Sequence, residues 1–192
     1  VVTDNGALLI TSSIGKKFDG AAISSVVPKI LKPFLKVLTK YWQIKPVIID
    51  WRIDCGLRRI DYQPMTLGSD RIANAVGGLK RYKRDLIIID FGTATTFDIV
   101  DRHGNYHGGI ICPGVETSLR SLIANTVLLP KTKLVLPRKV VGKDTRAGIR
   151  SGIIFGTVGM VKELVERIRK EKKRRFYVVA TGGWGREIAR IT

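Results

Sequence analysis

Short apolar runs of strand length alternate with longer amphipathic segments, a pattern typical of an α/β protein. Leu86–Ile89 is the clearest run, because it is short, β-branched and bounded by Asp85 and Asp90. The pattern of this half predicts strands at Leu86–Phe91, Thr95–Asp101 and Tyr106–Ile111, a helix at Val115–Thr126, a long helix at about Ser151–Lys170, a strand at Phe176–Ala180 and a final helix from Gly185.

The first half repeats part of this order. It predicts two short strands within residues 1–14 around Asp4-Asn5-Gly6, a buried strand at Ala21–Val27, a helix at Pro28–Trp42, a strand at Val47–Ile49, an irregular segment or strand edge at Gly56–Tyr62 and a helix at Arg71–Tyr82. We therefore expect two ribonuclease-H-like layers, with mixed sheets flanked by helices: an N-terminal lobe at 1–66 and a C-terminal lobe at 67–192. The N-terminal layer is expected to be incomplete, because only six residues separate Ile14 from Ala21 and a parallel crossover needs about a dozen.

Composition narrows the class of protein. The chain has 192 residues, 44% of them hydrophobic, which is ample for a buried core. Cys55 and Cys112 lack metal-ligand spacing, so free thiols in a reducing cytoplasm are expected. No apolar run has transmembrane length and no signal peptide is visible, so we expect no membrane partner.

The formal net charge of +18 is the unusual quantity. Basic residues at helical spacing between Lys29 and Lys40, and a run at Arg169–Arg175, favour solvated helix faces and a helix C-terminus. No aromatic residues interleave with the Arg169–Arg175 run as stacking platforms, so a nucleic-acid partner is the less favoured alternative. Attraction of anionic ligands stays open.

The segment Asp90–Thr96 carries the most distinctive chemistry. A buried strand delivers Asp90, then Gly92, then three hydroxyl residues: Thr93, Thr95 and Thr96. Glycine lets a backbone approach a phosphate closely, and hydroxyls with turn amides can donate to its oxygens. A carboxylate at the strand end could hold a cation. The alternative is a β-hairpin with a threonine-rich turn.

Six motifs in order make a family resemblance specific. They are Ile23-Ser-Ser-Val-Val-Pro28, Gly68-Ser-Asp-Arg71, Asp90-Phe-Gly-Thr-Ala-Thr-Thr96, Gly108-Gly-Ile-Ile-Cys-Pro-Gly114, Gly142-Lys-Asp-Thr145 and Ala180-Thr-Gly-Gly183. With them the chain resembles the type III pantothenate kinases of the acetate and sugar kinase/Hsc70/actin superfamily over nearly all of residues 5–190. The resemblance implies ATP-dependent phosphorylation of pantothenate, the first step of coenzyme A synthesis, by a cytoplasmic homodimer. It also implies Mg2+ and a monovalent cation, K+ or NH4+.

The resemblance assigns roles residue by residue. Asp70 matches the general base, and Asp90 matches the monovalent-cation ligand. Substrate contacts are implied at Gly68, Ser69, Asp70, Arg71, Tyr62 and Thr145, and ATP contacts at Gly92, Thr93, Thr95, Thr96, Gly182 and Gly183. Arg71 is suited to gripping the substrate carboxylate bidentately. The Tyr62-Gln-Pro64 segment is one residue shorter than its family counterpart.

Each of these residues also has a plain structural interpretation. Asp70 and Thr145 could be helix N-caps, Arg71 could be a surface charge in a first helical turn, and Gly182 and Gly183 could form an ordinary strand-to-helix turn. His103 and His107 flank a turn without a ligand pattern, so both are expected to face solvent.

One family feature is absent from the sequence. The family's first phosphate motif, Asp-x-Gly-Asn-Thr on the first strand, does not occur, and Asp4-Asn5-Gly6 aligns better with the following turn. We therefore expect that the first strand precedes Val1. A non-catalytic relative that keeps the fold is the second hypothesis, and a basic nucleic-acid-binding protein is the third.

Overall fold

The structure is a computed structural model that describes residues 19–25, 27–126 and 128–192. The strands expected within residues 1–14 lie outside the described residues. The chain divides into two compact units, one comprising Val1–Cys55 with Gln63–Asn74 and the other Gly56–Tyr62 with Ala75–Thr192. Each unit is described below by itself.

The first unit contains a β-α-β arrangement. Strand β1 (Ala22–Ile23) pairs in parallel with β2 (Val47–Ile48), and helix α1 (Pro28–Trp42) connects them. The strand expected at Ala21–Val27 is shorter than predicted, because Ser25 Oγ accepts the Val27 N–H at 3.1 Å and turns the backbone toward the helix. A 3₁₀ turn (Pro64–Thr66) then precedes helix α2 (Ser69–Tyr82), whose first residues belong to this unit.

The second unit is built on a five-stranded sheet in the order β3-β6-β5-β4-β7. Its strands are β3 (Arg59–Ile60), β4 (Leu86–Phe91), β5 (Ala94–Val100), β6 (Asn105–Pro113) and β7 (Tyr177–Gly182). The two hairpins β4–β5 and β5–β6 are antiparallel, whereas β7 runs parallel to β4 and β3 parallel to β6. The predicted order of strands and helices in this half is confirmed.

Three helices follow the hairpins: α3 (Val115–Ala124), α4 (Thr145–Lys172) and α5 (Gly185–Ala189). Helix α4 begins at Thr145 rather than at Ser151 as predicted. Its start is fixed by Asp144, whose side chain accepts the Ala147 N–H at 2.9 Å, a cap that satisfies an otherwise unpaired helix amide. Periodicity alone could not detect this cap.

The core of the second unit lies between the sheet and α4. Side chains of alternate strand positions, such as Ile87, Ile89 and Phe97, pack with Ile154 and Val158 of the helix. Burial of each such side chain stabilises the fold by about 1.5–3 kcal/mol relative to exposure. Because one strand face turns toward α4, the opposite face is left for α2.

Helix α2 covers that opposite face at close range. A Cβ added at Gly78 would lie 2.8 Å from Ile88 Cδ1 and 3.1 Å from Leu86 Cδ1. The absence of a side chain at Gly78 therefore allows α2 to pack closely against β4. Helices thus flank this mixed sheet on both faces. No helix in the described ranges combines the length and apolar character needed to cross a membrane.

Candidate functional site

Three turns of the second unit meet at the edge where β4 and β7 end. They are the β4–β5 turn at Gly92–Thr93, the β6–α3 turn at Gly114 and the β7–α5 turn at Gly182–Gly183. We call this group of turns the glycine corner. The strand register brings Asp90 beside Thr181 and Phe91 beside Gly182, so residues distant in the sequence become neighbours.

Gly114 joins the first two turns through direct backbone contact. Its N–H donates to Thr93 O at 3.2 Å, and the Thr117 hydroxyl donates to the same oxygen at 2.7 Å. An added Cβ at Gly114 would lie 2.3 Å from Thr93 O and 2.4 Å from Gly92 O. The position therefore requires glycine, and it places the N-terminus of α3, with its unpaired amides and positive dipole end, beside the turn.

Gly182 joins the third turn to Asp90. Its φ is +85°, a conformation that favours glycine, and an added Cβ would lie 2.5 Å from Asp90 Oδ1 and 2.6 Å from the Phe91 backbone. Gly183, by contrast, has no atom within 4 Å of an added Cβ. Trp184 Nε1 donates to Glu116 Oε1 at 3.3 Å, which connects this turn to α3. The missing side chain at Gly182 makes room for the Asp90 carboxylate.

The threonines of the β4–β5 hairpin are not equivalent. Thr93 is exposed in the turn, and Thr96 is half-buried opposite Asp90. Thr95 is fully buried, and its hydroxyl has no hydrogen-bond partner in the part of the chain that the structure describes. Of the three hydroxyls predicted to contact phosphate, only Thr93 and Thr96 are accessible here.

The segment around Asp70 lies in the first unit. Gly68 O accepts the Ile72 N–H at 3.2 Å, so the helix begins there, and Asp70 Oδ1 accepts the adjacent Arg71 N–H at 2.9 Å. Asp70 is exposed and lies inside the first turn of α2, so the N-cap interpretation does not apply to it. Ser69 is buried, and its Oγ accepts a hydrogen bond from Ser24 Oγ at 3.1 Å.

The structure decides between two interpretations of Arg71 and of Thr145, and it shows what Tyr62 contacts. Arg71 is 5% exposed, so it is not a surface charge. A buried guanidinium requires compensation by acceptors or anions. Thr145 is exposed at the first position of α4 and is not its N-cap, because Asp144 has that role. Tyr62 packs edge-on against Tyr106, with ring centroids 6.2 Å apart.

The expectation that His107 faces solvent is wrong, whereas His103 is exposed as expected. Nε2 of His107 lies 3.0 Å from Asp101 Oδ2, and its Nδ1 lies 3.5 Å from Asp61 Oδ2. The parallel pairing of β3 with β6 brings these groups together. The position of His107 between these two carboxylates could not be predicted from the sequence, because the pairing joins segments that are separated by two strands.

Asp101 has the most perturbed ionisation in the second unit. Burial opposes its charged form, but hydrogen bonds from the Asn105 side chain and backbone, His107 and the His103 N–H outweigh burial and hold its pKa well below the usual range. This carboxylate organises the β5–β6 turn, at the opposite edge of the sheet from the glycine corner. Its role is structural.

Metal binding at the glycine corner would depend on the Asp90 carboxylate, because Glu116, the other carboxylate at these turns, accepts the Trp184 Nε1–H. Within the described residues, no three or more His, Cys, Asp and Glu side chains converge as a metal cluster. Asp90 could therefore hold a cation only together with backbone or ligand oxygens. Gly114, which is important to this corner, and Asp144, which caps α4, were not among the predicted site residues. A glycine between a strand and a helix, and an aspartate just before a helix, are the signals that could have found them.

Comparisons with known proteins agree with one another. A profile described as type III pantothenate kinase matches residues 4–167. A type III pantothenate kinase from Bacillus cytotoxicus is 39% identical over 170 residues, which cover 88% of this chain and 65% of that protein. The fold is also similar to a crystal structure from Campylobacter jejuni, of a protein assigned to the Baf family of transcriptional activators. The TM-score is 0.60 at 22% sequence identity, and the match covers 93% of this chain and 75% of that one. At that identity the likeness concerns the fold alone.

Proposed function

Because this chain belongs to the type III pantothenate kinase family, we propose that it transfers the γ-phosphoryl group of ATP to pantothenate. The product is 4'-phosphopantothenate, in the first step of coenzyme A biosynthesis. The chain spans 65% of the length of its Bacillus cytotoxicus relative, whose name carries this activity. The observation that carries the proposal is the glycine corner, where a carboxylate, an exposed threonine and a helix N-terminus meet around positions that exclude side chains.

The glycine corner is suited to the phosphates of ATP. The Thr93 hydroxyl can donate to phosphate oxygens, and the positive end of α3 favours a negative ligand. Gly92, Gly182 and Gly183 give nucleotide access to the backbone, and Thr96 lies beside Asp90 on the neighbouring strand. We assign Thr95 to the support of this turn, because its side chain is fully buried.

The cation roles follow from the chemistry of the donors. Asp90 supplies hard carboxylate oxygens at the strand end, which fit K+ or NH4+, and we assign the monovalent cation to it. Mg2+ usually binds phosphate oxygens with few protein ligands, which agrees with the small number of carboxylates at this corner. Together these cations would neutralise charge on the phosphates during transfer.

Pantothenate is assigned to the segment around Asp70. An exposed carboxylate can accept the proton of a primary hydroxyl as the phosphoryl group transfers. Because Asp70 Oδ1 accepts the Arg71 N–H, we assign Oδ2 as the proton acceptor. Gly68 and Ser69 shape the start of α2, Arg71 is assigned to the substrate carboxylate, and Tyr62 and Thr145 are further substrate contacts.

The finer architecture belongs to the same proposal. We propose two ribonuclease-H-like layers of the actin-like ATPase type, divided near residues 66 and 67. The mixed sheet flanked by helices supports this arrangement. A cytoplasmic homodimer is proposed from the family alone.

The direct test is incorporation of labelled phosphate from ATP into pantothenate. Asp70→Asn should lower kcat by about 10²–10⁴-fold while ATP binding is retained. Glu171→Gln, at an exposed carboxylate outside the assigned residues, is the matched control and should leave turnover unchanged. Normal turnover by Asp70→Asn would contradict its role as the base. Pantothenate binding by the unmodified chain without any turnover would favour the non-catalytic relative instead.

A further inference from the structure

A basic pocket lies at the opposite edge of the sheet from the glycine corner. It occupies about 360 Å³ and is lined by four cations, Lys83, Arg84, Arg102 and Arg175, and by one carboxylate, Asp85. The charges leave a local excess of three positive charges in a concave site. Strand β4 runs the full height of the sheet, so the pocket lies about 17 Å from the Asp90 end.

The single carboxylate of the pocket is engaged by the backbone. Asp85 Oδ1 accepts the Arg102 N–H at 2.9 Å, and its own carbonyl accepts the Tyr177 N–H at 2.9 Å. In the described chain, neighbouring Arg169 and Arg174 have carboxylate partners at Glu166 and Asp101, whereas the four pocket cations have none there. Among the described residues, the pocket therefore concentrates cations that form no ion pair with a carboxylate.

An aromatic wall orients one of these cations. The Arg84 guanidinium lies 5.7 Å from the centroid of the Tyr177 ring, which packs 5.3 Å from the Tyr82 ring. Tyr177 is 47% exposed. A guanidinium held against an aromatic face loses less rotamer freedom when it binds a ligand.

We propose that this pocket binds a small polyanion, of the class of phosphorylated metabolites that carry two or more phosphate charges. A concave site bordered by protein focuses positive potential, and its volume lies at the small end of the range for ligand pockets. Arginine forks match phosphate oxygens bidentately. A concavity of about 360 Å³ fits a compact ligand with few phosphate groups better than an extended polymer, whose backbone would need a longer groove. The proposal does not depend on the kinase assignment.

The test is an NMR titration of the ¹⁵N-labelled chain with inorganic pyrophosphate at fixed ionic strength. Amide signals of Arg84, Arg102 and Tyr177 should shift together. The double variant Arg84→Ala/Arg175→Ala should bind at least about tenfold more weakly, since it loses charge-assisted hydrogen bonds. Arg120→Ala/Lys162→Ala removes the same charge at exposed positions outside the pocket and should change the affinity less than about twofold.

Several outcomes would overturn the proposal. Equal weakening in both double variants would mean that net charge alone attracts the anion. Shifts confined to Gly92 and Thr93 would place the anion at the glycine corner instead. A labelled single-stranded oligonucleotide that shifts the pocket amides and is not displaced by pyrophosphate would identify a nucleic-acid surface. Spectra of both double variants, with dispersion like that of the unmodified chain, control for folding.

Discussion

The two edges of the five-stranded sheet use opposite means to prepare a binding surface. At the glycine corner, backbone atoms approach so closely that Gly114 and Gly182 exclude any side chain. At the other edge, Lys83, Arg84 and Arg175 extend long side chains around an open pocket. We therefore expect a single added atom to disturb the glycine corner. The basic pocket should tolerate substitution of its side chains and respond to changes in their charge.

The largest effect is expected from Gly182→Ala. The new alanine would have to adopt a φ of +85°, and its Cβ would lie 2.6 Å from the Phe91 backbone. That backbone cannot move without disturbing β4. We expect a loss of about 3 kcal/mol in the free energy of unfolding, measured with urea. Gly183→Ala is the matched control, because an added Cβ there has no neighbour within 4 Å. Equal losses in the two variants would refute the close approach at this corner.

An intermediate effect is expected from Asp101→Asn at the opposite edge. The free energy of unfolding of the variant should be lower by about 2 kcal/mol at neutral pH, because the buried Asp101 carboxylate accepts several hydrogen bonds. The folded pKa of Asp101 lies below the unfolded value of about 4. Its stabilisation is therefore complete above that pH and is lost as the pH falls through the folded pKa.

Urea unfolding at neutral pH and at successively lower pH tests this assignment. The difference in the free energy of unfolding between Asp101→Asn and the unmodified chain should become smaller only when the pH falls below about 4. This difference is called the gap below. Glu171→Gln, at an exposed carboxylate, should show almost no gap at any pH. A gap for Asp101→Asn that does not change with pH would show that packing, rather than ionisation, is responsible.

The smallest effect is expected from Arg175→Ala. Removing one of four clustered cations should raise the free energy of unfolding by up to about 0.5 kcal/mol at low salt, and screening should erase the gain. Arg167→Ala should have the opposite sign, because Arg167 Nε pairs with Glu163 Oε1 at 2.6 Å. Thermal unfolding over a series of salt concentrations measures both. A gain for Arg175→Ala that persists in high salt would argue against charge repulsion.

Part of the candidate site could be predicted from the sequence, and there is a physical reason why the rest could not. The local pattern around one strand was sufficient to single out Asp90, Gly92 and Thr93. Gly114 escaped because its importance depends on the carbonyl oxygens of another turn. Thr95 lies within β5 and is buried, whereas Thr93 lies in the turn before that strand and is exposed, a difference that tertiary structure decides.

The sequence by itself determined the order of strands and helices in residues 86–192, and six ordered motifs indicated the family. Hydrophobic periodicity and motif spacing are local properties, so they survive without coordinates. Only tertiary structure decided where α4 begins, that His107 lies between two carboxylates, and that the two sheet edges differ in kind. Those features depend on which segments pair, because register brings Gly182 to Asp90 at one edge and Arg175 to Arg84 at the other.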